Sequence, residues 1–121
     1  MTRQNISSGR SFEEVYGYSR AVRVGGQVHV SGTTAQGEDA YTQAKAIFEV
    51  IGTALAEAGS SFEDVVRTVT YVTDIKDAEL VGKAHHEVLG HVKPAATLVQ
   101  VTALVSPELK VEIEAYAVDP V

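Results

Sequence analysis

Cysteine is absent from the sequence, which excludes disulfides and thiolate chemistry alike. Proline occurs only three times and no low-complexity run interrupts the chain, so nothing in the composition points to disorder. The apolar runs are a few residues long, far below the roughly 20 needed to cross a membrane as a helix. Polar Thr2, Arg3, Gln4 and Asn5 stand where a secretory signal would place its apolar stretch, and a cytoplasmic location is the expectation. Basic residues are the scarcer charge, with ten Lys and Arg against sixteen Asp and Glu. A chain of net charge −6 is repelled by phosphate backbones unless it carries a basic stripe. Arg20 with Arg23, and Lys76 with Lys83, are interrupted by acids, so nucleic acid is not an expected partner.

Several chemical motifs are missing too. Gly25-Gly26 and Gly32 match neither nucleotide-binding fingerprint, and Val30-Ser31-Gly32 lacks the glycine that a nucleophile elbow has two residues before its serine. His85, His86 and His91 are close in sequence, but adjacent helical side chains point about 100° apart and no partner ligands stand at metal spacing. Neither a metal nor an organic cofactor is expected.

What is present is a legible α+β pattern over 121 residues, enough for one domain and one core, here taken as residues 1–121. Two alternating runs flank Gly25-Gly26 and predict a β-hairpin in which Val24 faces Gln27, Val22 faces His29 and Arg20 faces Ser31. Tyr18, Arg20, Val22, His29 and Ser31 then share one face, and Ala21, Arg23, Val28 and Val30 the other. Apolar positions at 3.6-residue spacing predict a helix from Asp39 to Ala58, with Gly59 as its terminator. A turn capped by Ser61 and Asp64 leads to a strand over Val65 to Thr73, and a second helix runs from about Asp77, read as its cap, to Gly90. After Pro94, Thr97 to Ala103 and Leu109 to Val118 read as strands around a turn at Val105-Ser-Pro-Glu108. The order ββαβαββ predicts a single mixed sheet with both helices on one face.

Such a sheet leaves its other face bare. Val22 and Val24 lie there, together with either Val111, Ile113 and Ala115 or Glu112, Glu114 and Tyr116. Partly apolar strands with no helix left to cover them suggest an oligomer. For Glu112 and Glu114 the alternation allows either a solvated strand face or a carboxylate aimed into an interface pocket as general acid or base.

The segments Gly17-Tyr-Ser-Arg-Ala-Val22, Val30-Ser-Gly-Thr33, Ala56-Glu-Ala-Gly59, Asp64-Val-Val66, Tyr71-Val-Thr-Asp74, Pro94-Ala-Ala-Thr97 and Val111-Glu-Ile-Glu-Ala115 together resemble the Rid family, the RidA or YjgF-like proteins, also called endoribonuclease L-PSP. The resemblance runs from about Gly17 to Val118. It implies a chorismate mutase-like homotrimer with three pockets between subunits, each lined by Tyr18, Ser31 and Glu112. It implies as well a cofactor-independent deamination, the hydrolysis of reactive enamines and imines such as 2-aminoacrylate to a 2-keto acid and ammonia. In that scheme an arginine after a Pro-Ala pair holds the substrate carboxylate, and a carboxylate positions water.

Here the arginine position is Ala96, and Gly82 stands where the family pattern has an asparagine. Arg20 either supplies the missing cation or is a surface residue on an edge strand. His85, with Glu87 nearby, either adds a polar group to the pocket or packs into the core. Two function classes follow: hydrolysis of an imine-like metabolite with Glu112 orienting water, or a non-enzymatic trimer that binds a small metabolite in a regulatory or protective role. The acidic charge and the lack of basic-aromatic stacking platforms weigh against an endoribonuclease.

Overall fold

In the computed structural model, which describes residues 2–120, Gly25 turns the chain between strands Ala21–Val24 and Gln27–Thr33. Its φ of +57° is a left-handed conformation that a β-branched residue would resist. The register is the expected one: Val22 opposes His29, Val24 opposes Gln27, and the Ser31 amide donates to the Arg20 carbonyl at 2.9 Å.

Two elements were not expected. A strand, β1 (Arg3–Ile6), pairs with the first hairpin strand, and a six-residue helix, α1 (Ser11–Tyr16), follows it. Neither offers periodicity a buried apolar face, and α1 carries its Phe12, Val15 and Tyr16 outward. Within β1 only Ile6 is buried, and the residue α1 turns inward is the acid Glu13. The hairpin strands are therefore β2 (Ala21–Val24) and β3 (Gln27–Thr33). Then come α2 (Ala40–Glu57), β4 (Val65–Val72), α3 (Ala78–Leu89), β5 (Ala95–Gln100) and β6 (Val111–Val118). The six strands form one sheet in the order β1-β2-β3-β6-β4-β5, with only β4 and β5 parallel, joined through α3.

The capping of α2 follows its sequence. Asp39 accepts a hydrogen bond from the Thr42 amide at 2.8 Å, and Gly59 closes the other end at φ +79°. Asp77 does not cap α3, because its own backbone is already helical and its side chain makes no cap bond. The cap lies three residues earlier: Asp74 accepts from the Lys76 amide and starts a 3-10 turn that runs into α3. Ser61 caps its turn as expected, accepting from the Glu63 amide, whereas Asp64 pairs with the Ser60 hydroxyl.

The alternation in β6 is now assigned to faces. Val111, Ile113, Ala115 and Ala117 are buried beneath α2, with Ile47, Phe48, Ile51 and Leu55 across from them. Glu112, Glu114 and Tyr116 lie on the face without helices, as do Val22 and His29. That face is thus more polar than an all-apolar β6 would make it. Among the described residues no helix is long and apolar enough to cross a membrane.

Gln43 connects this core to the loop before β6. It is 1% exposed, yet its amide donates to the Gly37 and Glu108 carbonyls (3.1 and 3.0 Å) and accepts from the Lys110 amide at 2.8 Å. All its polar capacity toward the loop is met, which is what a buried amide requires. Replacing Gln43 by Leu strands those backbone groups, and chemical denaturation should show a loss of about 1–3 kcal/mol.

Candidate functional site

β3 carries one residue more than its partner. Val30 opposes Ala115 but Thr33 opposes Ile113, so a bulge at Ser31-Gly32 breaks the two-residue alternation. Thr33 consequently turns into the core with no exposed surface. Gly32 leaves a gap beside β6, and the Glu112 side chain fills it: a Cβ on Gly32 would lie 2.0 Å from Glu112 Oε2. Only glycine lets the carboxylate occupy that place.

Arg20 sits at the same corner. It is 2% exposed, one of the most completely buried side chains in the molecule, so the reading of a surface residue on an edge strand is wrong. Burial is possible because its donors are matched: Nε donates to Glu13 Oε2 (3.3 Å), Nη1 to the Gly32 carbonyl (2.9 Å) and Thr33 Oγ1 (2.8 Å), and Nη2 to the Tyr18 hydroxyl (3.3 Å). Burial of Glu13 would raise its pKa, but hydrogen bonds from Ser8 and the charge of Arg20 outweigh it and hold the carboxyl below its ordinary value. The buried pair thereby joins α1, the bulge and Tyr18. Glu13 and Gly32 went unnoticed as functional residues in the sequence, although a glycine within an apolar strand is a recognised sign of a bulge.

Tyr18, Arg20 and Glu112 line one pocket of about 530 Å³, along with Phe12 and Tyr16 of α1 and Glu108 of the Gln43-anchored loop. Ser31 is beside it rather than in its wall, its hydroxyl donating to the Ser19 carbonyl at 2.6 Å. Burial pushes the Glu112 carboxyl above its ordinary pKa, Glu114 pushes it the same way, and Arg20 opposes both. No hydrogen-bond donor among the described residues is matched to it. Glu114, by contrast, accepts from the Tyr116 hydroxyl at 2.7 Å, and that bond raises the tyrosine to about 12.

His85 and Ala96 lie elsewhere. On β5, Ala96 pairs with Thr68 on the helix-covered side of the sheet, opposite to Glu112. With His85, Thr70, Leu89 and Leu98 it lines a second pocket of about 400 Å³. His85 Nε2 is 2.8 Å from Thr68 Oγ1, its ring is edge-on to Phe48, and burial lowers its pKa. His85 packs against the core and borders this second cavity, not the one that Glu112 lines. Within one chain the structure therefore gathers Tyr18, Arg20 and Glu112, with Ser31 next to them, and keeps His85 and Ala96 apart. His86 is exposed and His91 pairs with Glu63, so the three histidines diverge.

A one-sided mixed sheet with helices packed on its other face, and a carboxylate seated in a β-bulge, defines a single-sheet α+β protein of chorismate mutase-like fold. The endoribonuclease L-PSP family model matches residues 9–119. A Mycobacterium tuberculosis member of the YjgF family superposes with a TM-score of 0.95 at 47% identity, covering 97% of this chain and 99% of that one. An uncharacterised Streptomyces coelicolor protein is 39% identical over 93% of this chain and 91% of its own. The human 2-iminobutanoate/2-iminopropanoate deaminase is 28% identical over 98% of this chain and 91% of its own. The chain belongs to the endoribonuclease L-PSP family, the Rid or YjgF proteins.

Two outcomes are expected from this geometry. Gly32→Ala should leave the fold intact, since φ at 32 is not left-handed, and should expel the Glu112 carboxylate, visible as a displaced side chain in a crystal structure. Glu112 has a raised folded-state pKa, so it favours folding below its ordinary value of 4.5 and opposes it as pH rises. Glu112→Gln should therefore raise Tm at pH 7, and the gain should vanish near pH 4 in paired thermal melts.

Proposed function

We propose that this protein hydrolyses a reactive enamine or imine, without a cofactor, at the pocket beneath α1. The observation that carries this reading is the Glu112 carboxylate: seated over Gly32, partly withdrawn from water and without an internal donor, it has free lone pairs facing a cavity of substrate size. An enamine first takes a proton on carbon to become the imine. Water oriented by Glu112 then adds to the C=N carbon, the nitrogen gains the protons, and C–N cleavage gives a carbonyl compound and ammonia. Tyr18 borders the reacting group, its hydroxyl held by Arg20, and Ser31 keeps the bulge in shape through Ser19. The similarity to the human 2-iminobutanoate/2-iminopropanoate deaminase supports this class of chemistry.

In the homotrimer that the family resemblance implies, each pocket would gain a wall from a neighbouring subunit, and the His85–Ala96 cavity is a natural candidate for it. A second reading, a trimer that binds a small metabolite without turnover, draws support from one observation. Ala96 offers no donor to a substrate carboxylate, and Arg20 is already matched to Glu13, Gly32, Thr33 and Tyr18.

Ammonia release from imines generated in situ separates the two. Wild type should accelerate hydrolysis over the spontaneous rate, and Glu112→Gln should lose about a hundredfold or more in kcat while remaining folded. If wild type shows no acceleration on any imine while retaining ligand affinity, the binding reading replaces the catalytic one.

A further inference from the structure

The charges around the proposed site specify what it takes, an inference that rests on the reading above for the location of the pocket. Two guanidinium groups border it. Arg20 is paired with Glu13 and gives four of its five N–H groups to fixed acceptors, which leaves little of its charge for an incoming anion. Arg10, at the rim, donates to the Thr34 carbonyl at 2.9 Å. Against them stand Glu112 and Glu108, with Glu114 two residues along the same strand face. Glu108 is held ionised by its own backbone and by Ser106 and Gln36. The pocket therefore carries no net positive charge, in a chain whose overall charge is −6.

Its mouth is aromatic as well as acidic. Phe12 and Tyr16 of α1 lie with ring centroids 5.2 Å apart and are 45% and 68% exposed, and Tyr18 lines the same pocket. Aromatic faces and a carboxylate without an internal partner both favour a cation, and both disfavour a free carboxylate.

We propose that the pocket takes a protonated imine lacking a carboxylate and bearing an apolar or aromatic substituent, its N–H donating to Glu112 and its substituent lying against Phe12 and Tyr16. Hydrolysis balances as R–CH=NH₂⁺ + H₂O → R–CHO + NH₄⁺. The water oxygen bonds to carbon, the C=N π pair moves to nitrogen, both water protons end on nitrogen, and the C–N bond breaks with no oxidant or reductant. The reaction class that supplies such a substrate is the two-electron oxidation of a primary amine.

The test pairs substrates that differ only in the carboxylate. A flavin amine oxidase acting on 2-phenylethylamine supplies the imine, and a flavin amino-acid oxidase acting on phenylalanine supplies the imino acid. Imine disappearance is followed against the spontaneous rate. Calorimetry on the same protein compares two stable ligands, 2-phenylethylammonium and 3-phenylpropanoate, with wild type and Glu112→Gln. The expected result is faster turnover of the amine-derived imine, and binding of the ammonium that weakens roughly tenfold or more in Glu112→Gln. Ammonium binding that depends on Glu112, with neither imine turned over, upholds the cation inference and removes the hydrolase reading. Preferred turnover of the imino acid keeps the hydrolase reading and overturns the inference. Tighter binding of phenylpropanoate also overturns it, as does ammonium binding indifferent to Glu112→Gln or the absence of binding by both ligands.

Discussion

A guanidinium buried at one corner of the sheet organises the region that holds the proposed site. Arg20 meets Glu13 from α1, the Gly32 carbonyl and Thr33 hydroxyl from the β3 bulge, and the Tyr18 hydroxyl from the connection between α1 and β2. A charge withdrawn from water is tolerated only when its donors are matched, so these four groups are held in one arrangement or the corner does not form. Ser8 extends the network by donating its amide and its hydroxyl to Glu13, which secures the segment between β1 and α1. The pocket wall bearing Phe12, Tyr16 and Tyr18 is attached to the sheet largely through this ion pair.

The bulge is the second constraint and works with the first. One extra residue in β3 sends Thr33 inward to meet Arg20 and aligns Gly32 with the Glu112 side chain. The local loss of alternation thus creates the space in which the carboxylate rests. On the other side of the pocket, Gln43 performs a comparable task with neutral groups, fixing the loop that delivers Glu108 and the start of β6. The shape of the proposed site depends on three buried polar side chains, Arg20, Glu13 and Gln43, more than on the apolar core that carries the fold.

Much of that fold was legible in the residues. The hairpin register followed from Gly25-Gly26 and the flanking alternation, and α2 ends where Asp39 and Gly59 place its caps. Tyr18 and Glu112 line one cavity of the chain. The N-terminal strand and α1 escaped notice because their inward positions are one isoleucine and one glutamate, too little for periodicity to register. The bounds of α3 agree with the pattern, but Asp77 makes no cap bond, and the capping side chain is Asp74 at the 3-10 turn before the helix, which only the backbone conformation reveals.

Local pattern by itself determined the α+β class, the elements from β2 onward, the two-faced character of the hairpin and the absence of thiol chemistry. These depend on short-range quantities: side-chain periodicity, turn conformations and composition. Tertiary structure alone decided that Arg20 is buried and paired, that the acids of β6 take the face without helices, and that Ala96 lies on the opposite side of the sheet from Glu112. The physical reason is that each of these depends on a partner distant in sequence. The partner of Arg20 comes from a short helix whose apolar residues are exposed, the setting of Glu112 depends on a missing Cβ eighty residues earlier, and the place of Ala96 depends on a parallel pairing across α3.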